Sequence, residues 1–162
     1  MSKIVSAATI DAIIEELDTL SDEQYETRVD KIAEDQPVLI AYLFNEDNFH
    51  LLTEEEKGFL QYLSLIAYEA VERTLGKRER VSEDEIGEAE EKNYEILENS
   101  TAKKFRDRLD TFFEGYKQEE LLAFAEEAVM EDEEDPESVV TKEGREPIFI
   151  TMKTLIDVLT AE

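Results

Sequence analysis

The sequence has no cysteine, no tryptophan and a single histidine, His50. The missing thiols exclude disulfides, thiolate zinc sites, iron–sulfur clusters and a cysteine nucleophile. His50 is the one imidazole for a catalytic triad, and its apolar surroundings in Asn48-Phe49-His50-Leu51-Leu52 favour a structural role. Only five glycines and three prolines are present, which excludes a loop-rich or collagen-like chain.

Basic residues are also scarce. The 162 residues include 17 Lys and Arg against 43 Asp and Glu, which gives a net charge of −26. This charge opposes binding to nucleic-acid phosphates and to anionic membranes. We therefore expect neither of these as a partner, and we expect any protein partner to be basic.

Long apolar runs are missing as well. The longest stretches without charge, 36–45 and 58–68, are well short of the ~20 apolar residues that a membrane span needs. The first residues are a poor match to a secretion signal, since Ser6 and Thr9 interrupt the apolar stretch and Asp11 ends it. We expect a soluble, cytoplasmic protein.

Helix signals dominate what is present. In the first predicted helix, apolar residues recur at three- and four-residue spacing, from Ile10 to Leu17. Capping boxes beginning at Ser21, Thr53 and Ser82 each mark a helix start. The sequence predicts an all-α protein with helices at about 7–19, from 21, 36–45, 54–75, 83–98, 101–115, 118–131 and from 147. The alternative for 139–150 is a short β-hairpin around Gly144.

The two halves of the chain resemble each other in order. Segment 25–32 (YETRVDKI) resembles 105–112 (FRDRLDTF), and 36–42 (QPVLIAY) resembles 118–124 (QEELLAF). Phe59 with Leu65-Ile66 likewise resembles Phe149 with Leu155-Ile156. These matches predict a single domain, 1–162, with a pseudo-repeat of 6–76 and 82–162. We expect two stacked four-helix halves in a short α-α superhelix of HEAT-like hairpins, or alternatively an irregular bundle of seven or eight helices.

The acidic residues do not form a known catalytic or metal-binding pattern. A calcium loop starting at Asp132 would have Glu137 where glycine is required. The single Glu-Glu-x-x-Glu, Glu133–Glu137, contains Pro136 and is not followed by Glu-x-x-Asp. The chain thus lacks the carboxylate pattern of the all-α nucleotide pyrophosphohydrolases. We predict no catalytic, cofactor-binding or metal-binding residue.

Two sets of charged residues are candidate binding sites. The largest basic cluster either balances charge internally, which we favour, or binds an anion; it comprises Lys103, Lys104, Arg106 and Arg108. The repeated pairs are Arg28 with Asp30 and Arg108 with Asp110. Residues two apart do not face each other on a helix, so contacts with neighbouring helices are favoured over two equivalent sites.

The expected function is that of a non-catalytic protein-interaction or scaffold module. Helical arrays present grooves that bind peptides or helices, and the charge favours a basic or helical peptide. The alternatives are an acidic mimic of nucleic acid and a carboxylate enzyme that uses a divalent metal. The apolar connection Phe49–Leu52 could also dock a second copy of the chain.

Overall fold

The structure, a computed structural model, describes residues 3–45, 50–130 and 140–161. In these ranges every regular element is an α-helix, which confirms the all-α prediction. The helices are α1 (Ala7–Asp18), α2 (Asp22–Asp35), α3 (Pro37–Leu43), α4 (Glu54–Leu75), α5 (Glu83–Asn99), α6 (Phe105–Phe113), α7 (Glu119–Val129) and α8 (Arg145–Thr160). Residues Asp132–Glu137 and Phe49, which carry parts of the sequence interpretation, lie outside the described ranges.

The predicted capping boxes at Ser21, Thr53 and Ser82 are confirmed. Each side chain accepts the backbone N–H three residues on, and the Gln or Glu at that position accepts the N–H of the capping residue. The start of α6 at Thr101 is wrong, because α6 begins at Phe105 after residues 101–104 that are not helical.

The hairpin alternative for 139–150 is not seen in its described part. Residues 145–150 already belong to α8, which begins two residues before Pro147. Ile148, Phe149 and Ile150 are all fully buried. Three consecutive buried residues suit a helix that is enclosed on several sides, whereas a hairpin would expose every second one.

The two longest apolar helices form the centre of the core. α8 packs against α4, α5 and α7, and α4 also packs against α1. The nearly continuous apolar sequence of α4 agrees with this central place, since a helix that is apolar on most faces must be buried on most faces. The buried apolar residues of α4 extend from Leu60 to Val71.

Contacts also join the first four helices to the last four at the periphery. α1 packs against α7, and α3 packs against both α2 and α5. In an open tandem stack the first helix would lie far from the seventh. The HEAT-like superhelix is therefore not confirmed. The two halves also differ from each other, because α7 packs closely against α8, whereas α3 does not pack closely against α4.

Candidate functional site

An open groove separates α3 from α4, and we call it the α3–α4 groove. Its wider end, about 230 Å³, is lined by Asn45, Glu54, Lys57, Gly58 and Leu60. Its narrower end, about 20 Å³, reaches Tyr68. Leu43, Phe44 and Gln61 line both ends, so the groove is continuous. From Glu54 to Tyr68 it follows α4 for about 20 Å at 1.5 Å per residue.

The missing side chain of Gly58 helps to explain why this groove is open. A Cβ added at Gly58 would meet no atom within 4 Å outside its own helix. In the matched half, the sequence spacing that relates Phe59 to Phe149 relates Gly58 to Ile148, which is fully buried. α8 thus has a large side chain where α4 has none.

The surface around the groove combines apolar and acidic groups. Phe44 is 43% exposed and nearby in sequence Leu51 is 61% exposed, which is unusual for large apolar side chains. At one end of the groove Glu54 is 87% exposed, although it pairs with Lys57 at 3.2 Å. At the other end, burial and then the charges of Glu72 and Asp35 raise the pKa of Tyr68.

The Tyr68 hydroxyl lies in this wall without a hydrogen-bond partner among the described residues. Tyr68 itself is 4% exposed. A buried hydroxyl without a partner costs folding free energy, because it has lost its hydrogen bonds to water. Since its oxygen is enclosed and the Glu72 carboxylate that raises its pKa lies beside it, the hydroxyl is part of the wall of the groove and is not open to a ligand.

The basic cluster foreseen in the sequence forms part of a second concave site. Lys103, Lys104, Arg106 and Arg108 line a cleft together with Lys142 and Arg145 from the start of α8. Residues 103–108 and 142–145 are far apart in the sequence, so their approach could not be predicted from it. The packing of the helices brings them together.

A buried polar cluster with the residue types of an active site lies between α5, α8 and Tyr116. The Lys153 ammonium donates to both carboxylate oxygens of Asp157, at 2.9 and 2.8 Å, and to Asn93 Oδ1 at 3.2 Å. The same carboxylate accepts from the Tyr116 hydroxyl at 2.6 Å and from Asn93 Nδ2 at 3.1 Å. All three N–H donors of the ammonium are used within the cluster, which leaves none for a substrate. We therefore interpret the cluster as a link between helices.

Burial explains the remaining chemistry of this cluster. Lys153 is 6% exposed and its ammonium lies 4.3 Å from the centre of the Tyr116 ring. Burial, followed by the charge of Asp157, raises the pKa of Tyr116, so this hydroxyl stays protonated. The i, i+4 spacing of Lys153 and Asp157 within an apolar stripe was a signal that sequence reasoning missed.

The repeated Arg–Asp pairs do not form equivalent sites. Arg28 pairs with Glu69 of α4 at 3.0 Å and with Glu16 of α1 at 3.2 Å. Arg108 instead donates to the backbone carbonyl of Leu97 at 3.1 Å. Both arginines contact neighbouring helices, in agreement with the structural role favoured above.

Three further findings concern the described residues. His50 is exposed in a turn before α4. Within 3–45, 50–130 and 140–161, no group of three or more His, Asp or Glu side chains is placed to hold a metal ion. In the same ranges, none of the helices combines the length and the apolar character that crossing a bilayer requires.

No known protein family, curated protein or solved structure matches this chain significantly.

Proposed function

We propose that the chain is a non-catalytic protein-interaction module that receives a basic amphipathic helix of a partner protein in the α3–α4 groove. The observation that carries the proposal is the open groove above Gly58, flanked by the exposed ring of Phe44. A helix in such a groove inserts apolar side chains at positions i, i+3 or i+4, and i+7. The open part of the groove, from Glu54 to Gln61, follows α4 for about 10 Å, which suits roughly two turns of a bound helix.

Charge complementarity favours a basic occupant. Exposed Glu54, which pairs with Lys57, stands at one end of the groove. Glu72 and Asp35, whose charges act on Tyr68 at the other end, pair with the exposed side chains of Lys31 and Lys77. A basic peptide would compete with these two lysines for the carboxylates. The net charge of −26 attracts a basic peptide over a longer range and speeds its encounter with the groove. Lys or Arg side chains at both ends of a bound helix would meet these carboxylates.

The proposed architecture keeps two alike four-helix halves, but in a closed arrangement instead of an open HEAT-like superhelix. The packing of α1 on α7 and of α3 on α5 supports this arrangement, because each contact joins the first helix of one half to the third helix of the other. The groove then belongs to one half only, since Ile148 occupies the position in α8 that Gly58 leaves empty in α4.

A designed peptide tests the proposal. The probe is a labelled helix of about 18 residues with leucines on one face and lysines on the other, and its scrambled counterpart has the same composition. We expect the amphipathic peptide to bind at about 150 mM salt and the scrambled peptide to bind at least tenfold more weakly, as measured by fluorescence anisotropy. Equal binding of both peptides would mean that charge alone is recognised, and would overturn the proposal.

Two matched leucine variants locate the site. Gly58→Leu fills the groove, whereas Gly87→Leu adds the same side chain to α5, where space is also open. Both changes favour helix by up to about 1 kcal/mol, so neither variant should lose stability. We expect Gly58→Leu to weaken peptide binding about tenfold or more and Gly87→Leu to leave it unchanged; unaltered binding to Gly58→Leu would refute this location.

A second copy of the chain is the other occupant to distinguish. Sedimentation equilibrium of the wild-type protein and of Gly58→Leu separates the two cases. We expect a monomer for both proteins. Dimerisation of the wild type that Gly58→Leu abolishes would assign the groove to self-association and overturn the proposal of a basic partner.

A further inference from the structure

Six of the 17 Lys and Arg residues line a single cleft in this strongly acidic chain. The basic cleft has a volume of about 750 Å³, within the range of roughly 300–1,000 Å³ that is typical of small-molecule sites. Two carboxylates, Asp107 and Glu146, line it together with the cations. The cations are Lys103, Lys104, Arg106, Arg108, Lys142 and Arg145.

Most of these charges are not used by the fold. Lys103, Lys104, Arg106 and Lys142 make no side-chain hydrogen bond or ion pair to another described residue. The longer-range charge of Arg106 acts on Glu126, where it opposes the rise in pKa that burial causes. Within the described residues, the internal charge balance favoured from sequence is limited to Asp107 and Glu146 in the cleft and to the effect of Arg106 on Glu126. Like charges gathered without partners repel, and an anion would relieve that repulsion.

The backbone adds to the positive field. Both α6 and α8 begin at the cleft, and neither helix has a side-chain hydrogen bond at its N-cap, which is Lys104 in α6 and Gly144 in α8. The free N–H groups of α6 and the dipoles of both helices favour an anion there, whereas at α8 the Gly144 N–H already donates to Thr141 and Pro147 has no N–H. They reinforce a site that the unpaired cations define.

The start of α8 is held in place by a buried carboxylate. Glu56 of α4 is fully buried, and its Oε2 accepts from Thr141 N at 2.9 Å and from Thr141 Oγ1 at 3.0 Å. This contact fixes the segment that carries Lys142 and leads into α8. The cleft thus rests on a rigid support, which lowers the entropy lost when a ligand binds.

From these observations we infer that the basic cleft binds a small organic ligand with two or more phosphate groups. The volume exceeds what one phosphate fills, and the half-buried side chains of Phe105 and Met130 give the cleft an apolar wall for a non-phosphate part. The charge of −26 around the cleft opposes the approach of a long polyanion such as duplex DNA, so a small ligand is favoured. This site is separate from the α3–α4 groove.

Calorimetric titration with three metal-free probes tests the inference: orthophosphate, inorganic triphosphate and adenosine triphosphate. We expect triphosphate to bind at least tenfold more tightly than orthophosphate at low ionic strength. Tighter binding of the nucleotide than of inorganic triphosphate would assign the apolar wall to a nucleoside, and equal binding would assign recognition to the phosphates alone. The absence of heat from all three probes would overturn the inference.

Matched double variants locate the binding. Lys104→Gln with Lys142→Gln removes one cation from the start of α6 and one from the segment before α8, and Lys3→Gln with Lys92→Gln removes two exposed cations elsewhere. We expect a loss of affinity of about tenfold or more for the first pair and less than about threefold for the second. Equal losses would show unspecific attraction and reject the cleft. Binding of the amphipathic peptide should be the same in both variants, so the two proposals fail independently.

Discussion

Gln36 and Gln118 each bind the chain segment that leads into the first helix of the opposite half. Both are buried at the N-cap of a helix, α3 and α7 respectively. Gln36 Oε1 accepts from Val81 N at 3.0 Å, and its Nε2 donates to the Glu79 carbonyl at 2.9 Å. These two bonds fix the strand-like segment before α5.

Gln118 makes the same two bonds to the segment before α1. Its Oε1 accepts from Val5 N at 2.9 Å, and its Nε2 donates to the Lys3 carbonyl at 3.0 Å. The match between Gln36 and Gln118 in the sequence thus has a counterpart in two reciprocal clamps. This reciprocity supports the proposal of two alike halves that close on each other.

The clamps predict equal losses of stability. Gln36→Ala and Gln118→Ala each leave a buried backbone N–H without a partner and remove a partly buried hydrogen bond to a carbonyl, so we expect each to lower the free energy of unfolding by about 2–4 kcal/mol. Urea denaturation measures both. The half-buried Gln61 serves as control, and Gln61→Ala should change stability by less than about 0.5 kcal/mol. A loss below about 1 kcal/mol in either clamp variant would contradict the prediction.

Gly144 is a second position where a substitution should lower the stability of the protein. A Cβ at Gly144 would lie 1.8 Å from Glu56 Oε2 and 2.6 Å from its Cδ. The carboxylate can yield only by losing its bonds to Thr141 or Thr53, so Gly144→Ala should lower the free energy of unfolding by about 2–4 kcal/mol.

The matched control for Gly144 is Gly87, which has open space around it in the middle of α5. Gly87→Ala should raise stability by up to about 1 kcal/mol, because alanine favours helix over glycine. Thermal unfolding of both variants checks the expected loss of stability in Gly144→Ala and the expected gain in Gly87→Ala. A Gly144→Ala protein as stable as the wild type would disprove the close approach of Glu56.

The buried pair of Lys153 and Asp157 predicts strong coupling. Lys153→Met leaves the Asp157 carboxylate without its cation, and Asp157→Leu leaves a buried ammonium, so each should cost about 3–5 kcal/mol. The double variant should cost clearly less than the sum of the two. A double-mutant cycle by urea denaturation measures this coupling, and additive losses would show that the two side chains act independently.

The ion-pair network around Glu16 predicts a specific pH dependence. The hydrogen bond from Arg73 is the main cause that lowers the pKa of Glu16 to about 2, and Arg28 adds to the effect. The stabilisation is fully present above the unfolded-state pKa of 4.5 and is lost as the pH falls toward 2. Because the pair is largely exposed, its size should stay below about 1 kcal/mol.

Glu16→Gln removes this contribution, and with it one of the charges that add to burial in raising the pKa of Glu69. The stability difference between wild type and Glu16→Gln should be largest above pH 4.5 and should shrink at lower pH. Urea midpoints of both proteins from about pH 3 to pH 7 check this. A difference independent of pH would rule out the shifted carboxyl.

Local sequence signals predicted the helices well where the cap chemistry was complete. Ser21, Thr53 and Ser82 each begin a helix because their side chains satisfy N–H groups within three residues. Thr101 resembled these caps, but α6 starts at Phe105, where no side chain caps the helix. The start of α6 is therefore not set by a local cap.

The candidate sites depended on contacts that a single sequence does not reveal. Lys104 was visible in a basic cluster, yet Lys142 joins it only because α8 begins beside α6. Gly58 appeared as an ordinary helical glycine, and its importance emerged only from the gap between α3 and α4. Lys153 lies among apolar residues of α8, and its ion pair with Asp157 is apparent only from the packed helices.

The sequence by itself determined the helical class, because helix periodicity, capping and the scarcity of glycine and proline act within a few residues of one another. Tertiary structure alone decided which helices meet: that α1 packs on α7, that α3 stands off α4, and that two distant basic segments share one cleft. The physical reason is that helix packing depends on the fit of whole surfaces. An apolar stripe indicates that a helix will be buried on one face. Which helix it packs against depends on the shapes of the other helices.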